Sequence, residues 1–119
     1  MQYTMLKERY AWEPVCFGVN DILLLLEKAV MAELVVRRED EAYWIGVACE
    51  YDRQRQLFGP QIFYIDGQEF ESLKGFAAHA VLGGQLFAAI AEPLPVIDTL
   101  EGDPAGYLKL AALFKNEDL

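Results

Sequence analysis

The sequence predicts an α+β domain, with an antiparallel β-hairpin sheet of three to five strands packed against about three helices. Two segments of opposite periodicity carry that expectation. Ala42–Asp52 alternates with period two, whereas Ile22–Met31 places its apolar residues on adjacent helical faces. Strands and helices also follow one another without the βαβ alternation of a parallel sheet. The chain has 119 residues, the size of one domain of roughly 100–150 residues. No repeat, low-complexity tract or Pro/Gly/Ser-rich linker divides it, so residues 1–119 read as a single globular domain.

Taken in order, Gln2–Leu6 has the composition of a short strand, which Trp12-Glu13-Pro14 interrupts. Asn20 or Asp21 is the expected N-cap of the first helix. Its Leu23, Leu26 and Val30 lie on one side, and Ile22, Leu25 and Ala29 on the next, so the helix should be buried on two sides. Leu34–Arg38 and Ala42–Asp52 form a hairpin with a charged tip at Glu39-Asp40-Glu41. Within the second strand, Tyr43, Ile45, Val47, Cys49 and Tyr51 share one face, and Trp44, Gly46, Ala48 and Glu50 the other.

Arg53–Leu57 is a polar connection closed by Gly59-Pro60, and Gln61–Ile65 is a further strand ending in the turn signal Asp66-Gly67. Ser72 should cap a helix that runs to about Leu82 and stops at Gly83-Gly84. Gln85–Ala91 fits a short helix or a buried strand equally, and Pro93 and Pro95 hold Leu94–Val96 extended. Asp103-Pro104 opens the last helix, with Leu108, Ala111, Ala112 and Phe114 facing the core.

Composition narrows the function. Apolar residues make up 54% of the chain, which excludes a disordered or collagen-like chain. Ten basic against nineteen acidic side chains leave a net charge of −9, so direct nucleic-acid binding, which needs clustered Lys and Arg, is not expected. The imbalance is larger in residues 61–119, with 9 acids and 3 bases, than in 1–60, with 10 and 7. Glu27, Lys28 and Glu33 interrupt the longest apolar stretch, which argues against a membrane span. Charges within Met1–Arg9 break any secretory apolar run, and two cysteines are too few for a disulfide framework. A cytoplasmic location is expected.

Chemistry-bearing residues are sparse. His79 is the single histidine, set among alanines on the second helix, and its expected role is a partly buried helix residue bonded to a backbone acceptor. Cys16 and Cys49 read as small buried hydrophobes. No P-loop, GxGxxG, GxSxG or EF-hand pattern occurs, and no cofactor or metal site is expected. The remaining candidates are aromatic and acidic: Trp12 in a loop, Trp44 on the strand face shared with Gly46, Ala48 and Glu50, an anchor if that face is solvated and core if a helix covers it, and Glu39, Asp40, Glu41, Glu50, Asp52, Asp98, Glu101 and Asp103. Aromatic anchors ringed by carboxylates suit a protein interface, where charge complementarity speeds encounter.

The segment Ile65-Asp66-Gly67-Gln68-Glu69-Phe70-Glu71-Ser72-Leu73-Lys74-Gly75-Phe76 resembles the opening strand and helix of barstar-like nuclease inhibitors. It covers 12 of 119 residues, and the tryptophan-bearing loop that follows in those proteins is missing here. From the residues themselves, the expected function is an acidic partner-binding protein. The leading form is an inhibitor or immunity-type antidote, or a nucleic-acid-mimicking anti-defence protein, that neutralises a basic protein. The alternatives are a homodimer or assembly subunit, and a small enzyme using His79.

Overall fold

The computed structural model describes residues 15–28, 32–99 and 103–117. The chain order is β1 (Val15–Phe17), α1 (Val19–Glu27), β2 (Glu33–Arg38), β3 (Glu41–Asp52), β4 (Leu57–Ile65), β5 (Gln68–Phe70), α2 (Leu73–His79), β6 (Val81–Leu82), β7 (Gln85–Leu86), a 3₁₀ turn (Phe87–Ala89), β8 (Leu94–Thr99) and α3 (Pro104–Glu117). Six strands form one antiparallel sheet in the order β1-β8-β2-β3-β4-β5, and β6 and β7 form a separate ribbon. The α+β class therefore holds, with more strands than the three to five expected from sequence.

Two strands pair through prolines that the sequence reads as breaks. In β8, Pro95 pairs with Cys16 of β1 but lies beyond Val96, the last residue registered with β2. The strand is flanked on one side only at that point, so the missing N–H removes no second ladder bond. In β4, Gly59-Pro60 does not end the strand. The register with β3 slips between Cys49 and Tyr51, and this bulge absorbs the proline.

Other boundaries also move. Helix α1 is capped by Gly18, not by Asn20 or Asp21; Asp21 sits one turn in, where its Oδ2 accepts the Gly18 N–H at 2.8 Å. Helix α2 has the expected Ser72 cap, whose Oγ accepts from Gly75 N at 3.0 Å. It ends at His79 because Ala80 turns extended, and Gly83-Gly84 instead makes the β6–β7 turn. Gln85–Ala91 is neither helix nor buried strand alone, but two ribbon residues followed by the 3₁₀ turn. The Asp66-Gly67 turn has φ of 48° and 78°, the left-handed pair of a tight hairpin. The proposed strand Gln2–Leu6 lies outside the described residues.

All three helices pack on one face of the sheet. Ile22, Leu25 and Leu26 of α1, Phe76 of α2 and Ala111 of α3 join Leu34, Val36, Ile45, Phe63, Ile65 and Val96 in one core. Phe76 is its centre, edge-on to Phe70 at 5.7 Å and to Phe87 at 5.6 Å between ring centroids. Two contacts tie α3 to α1: an ion pair between Lys115 Nζ and Asp21 Oδ1, and Lys28 Nζ 5.8 Å above the Phe114 ring. Ala112 is exposed, while Tyr107, Leu108 and Leu110 share the packing with Ala111.

Both cysteines are exposed and unbridged, against the expectation of burial. Cys49 belongs to the part of β3 that outruns the helix layer, and its Sγ donates to the Gly59 carbonyl at 2.9 Å. Cys16 sits on the outward side of β1 opposite Pro95. Two strands lie between β1 and β3, a lateral spacing of about 14 Å that no disulfide spans.

Candidate functional site

On the face of the sheet turned away from the helices, two of the expected residues, Trp44 and Asp98, come together. Strand register arranges it in rows. Asp98, Val35 and Trp44 lie side by side across β8, β2 and β3. Next along the strands, Glu33, Gly46, Tyr64 and Glu69 form a row across β2, β3, β4 and β5, followed by Ala48 beside Ile62. Arg37 beside Ala42 closes the other end.

Trp44 is half-buried and packs against Val35, Ala42 and Ile97, which are only 2–4% exposed. A β-bulge produces this cluster. Val36 faces Val96, yet Val35 faces Asp98, so Ile97 is the extra residue and turns outward. Among the described residues no helix covers the cluster, and the indole keeps part of its surface open.

The second row is built around a glycine. A Cβ on Gly46 would lie 2.4 Å from the Ala32 carbonyl oxygen and 2.6 Å from the Tyr64 hydroxyl, so only glycine fits. The Tyr64 ring passes over this gap, and its hydroxyl donates to Glu33 Oε2 at 2.5 Å. Burial, then the Glu33 hydrogen bond and charge, hold the Tyr64 proton well above the usual tyrosine range. The ring is thus fixed in place. Beside it a cleft of about 410 Å³ is lined by Ala48, Cys49, Ile62, Tyr64 and Glu69.

The other candidates have mixed fates. Glu39, Asp40 and Glu41 are exposed at the β2–β3 turn, as the hairpin reading requires. Asp52 folds back on its own turn, accepting from Gln54 N at 3.0 Å and Arg55 N at 3.2 Å. Asp103 caps α3 through Ala105 N at 3.1 Å. Asp98 accepts from Thr99 N at 2.8 Å and still borders the Val35–Trp44 row. Glu50 lies in β3; Trp12 and Glu101 lie outside the described residues. His79 is exposed at the end of α2, not partly buried as expected.

Glu33, Tyr64 and Glu69 were not among the sequence candidates. Their neighbourhood depends on the β3–β4 register, which no local pattern reports. Arg38 was also missed. It is only 20% exposed, donating to Leu82 O at 3.0 Å and to Gln85 Oε1 at 2.5 Å, and it pairs with Glu92 at 3.3 Å. It fastens the hairpin tip to the ribbon. Nearby Tyr43 has its pKa raised, first by burial and then by Asp66, Glu41 and Glu39, with Arg38 opposing them.

No group of three or more His, Cys, Asp and Glu able to hold a metal ion forms among the described residues. No helix among them is long and apolar enough to cross a membrane. Comparison with protein-family models, curated proteins and solved structures returns no match.

Proposed function

We propose that the protein is a small acidic partner-binding domain of the inhibitor or antidote type, which meets a basic protein with the outer face of its sheet. The observation that carries this reading is the half-open Trp44 seated on Val35, Ala42 and Ile97, with carboxylates in the adjoining rows. Glu33, Glu69 and Asp98 stand on this face against Arg37 alone among the registered positions. A large aromatic on a rigid apolar base is the usual anchor of an interface, and the acidic surround selects a cationic partner. The net charge of −9 adds long-range steering toward the same partner.

The test is affinity capture from the source lysate with wild type, Trp44→Ala and Leu113→Ala, each eluted by a salt gradient. Leu113 is 59% exposed on α3, on the helix side of the molecule, and serves as the control. The wild type and Leu113→Ala should retain one basic protein and release it progressively as salt screens the charges. Trp44→Ala should lose it while remaining folded. Retention unchanged by Trp44→Ala, or recovery of the bait alone, would contradict the reading.

A further inference from the structure

We propose that the cleft beside Tyr64 receives an arginine side chain of the partner; this rests on the outer-face reading above and specifies its anchor point. The cleft is built for a flat cation on an apolar stem. Ala48 is small and exposed, which leaves depth beside the half-buried Ile62. Those two side chains, paired across β3 and β4, offer aliphatic surface to the methylenes of a long side chain. Tyr64 forms the adjoining wall. Its hydroxyl proton is already given to Glu33, so an incoming group meets the ring face and not a free donor. A phenol donating to a carboxylate has an electron-rich ring, which favours a cation stacked on it.

Glu69 completes the site. It sits opposite Tyr64 on the neighbouring strand β5, is exposed, and has no cation paired with it among the described residues. A guanidinium stacked on Tyr64 would present its edge N–H groups to that carboxylate, with Glu33 adding charge from behind the ring. Lysine satisfies these features less well. Its ammonium is a compact, strongly hydrated point charge, whereas a guanidinium stacks and bonds a carboxylate in two places at once. The volume of about 410 Å³ is at the small end for a ligand pocket, large enough for one side chain and too shallow to enclose a folded segment.

The probes are blocked arginine (N-acetyl-arginine methylamide), blocked lysine and blocked citrulline, which keeps the shape of arginine without its charge. Each is titrated into the full chain while the Ala48 and Ile62 methyl resonances are followed by NMR. Arginine should shift both methyls in a saturable, salt-sensitive way and bind at least about tenfold more tightly than citrulline, the loss expected for one charge-assisted contact. Glu69→Gln should weaken arginine binding by a similar factor, and Tyr64→Leu should reduce it further; the methyl spectra report whether each variant is folded. Equal binding of citrulline, lysine binding as tight as arginine, indifference to Glu69→Gln, or shifts centred on the Glu39–Glu41 turn would each overturn the assignment. The two readings fail separately. If arginine does not bind but Trp44→Ala still abolishes partner capture, only the cleft assignment falls. If capture ignores the outer face, the interface reading falls whatever the probes do.

Discussion

The two faces of the sheet differ in how they are closed. The inner face is covered by three helices, and its core is apolar from Leu34 to Val96, with buried Thr99 beside Leu34 and Gln68 beside Ile65 as polar members. Among the described residues the outer face buries the small cluster Val35, Ala42 and Ile97 against a half-open Trp44, and its next row holds buried Gly46 and the hydrogen-bonded pair Tyr64–Glu33. Area removed from water stabilises the inner face. Shape and hydrogen bonding organise the outer one, which leaves part of the indole surface open. Substitutions should therefore separate into those that unfold the protein and those that blind it.

The largest stability effect belongs to the inner face. Phe76→Ala removes a fully buried ring wedged between Phe70 and Phe87 and should cost about 3–5 kcal/mol in urea unfolding. Next comes Gly46→Ala, where the new methyl meets a backbone carbonyl that cannot swing aside. A loss of about 2–3 kcal/mol is expected, and a neutral result would show that the β2–β3 approach is looser than described.

Trp44→Ala should reverse the balance. Partner affinity should drop by about 2 kcal/mol, roughly thirtyfold, as for an interface anchor, with a much smaller change in unfolding midpoint. An equally large stability loss would make Trp44 a core residue and blur the contrast between the faces. Asp21→Ala removes an acceptor in the first turn of α1 and the partner of Lys115, at a cost of about 1 kcal/mol. Lys115 is half-exposed, so solvent screening leaves the ion pair a minor share of that loss.

The smallest effect is alkaline. The Tyr64 pKa is raised in the folded state above the ordinary value of about 10. Its contribution to stability is therefore complete below that value and is lost as pH rises toward the folded pKa. Phenolate absorbance should show Tyr64 and Tyr43 titrating late, and Tyr64→Phe should flatten the alkaline loss of stability. Normal titration of every tyrosine would mean the Glu33 contact is open in solution.

Much of this architecture is written locally. Period-two alternation placed Tyr43, Ile45 and Val47 on one face and Trp44 on the other, and Ser72, Asp103-Pro104 and Asp66-Gly67 marked their caps and turn correctly. What failed was non-local. Pro95 and Gly59-Pro60 look like breaks until their neighbours are known, because a proline is harmless beside an open edge or within a bulge. Cys49 follows the inward pattern, yet lies beyond the reach of the helix layer. Arg38 was read only as the end of the first hairpin strand, because its partners, Leu82, Gln85 and Glu92, are more than forty positions away. The Tyr64–Glu33 pair spans 31 positions and three aligned strands, and only the assembled sheet brings it together.

The most direct test of the central claim is hydroxyl-radical footprinting of the chain, alone and bound to the basic protein proposed as its partner. Outer-face burial predicts strong protection of Trp44 and Tyr64, with His79 and Leu113 oxidised at unchanged rates. Protection of His79 and Leu113 with Trp44 still fully reactive would place the partner on the helix layer and contradict the account.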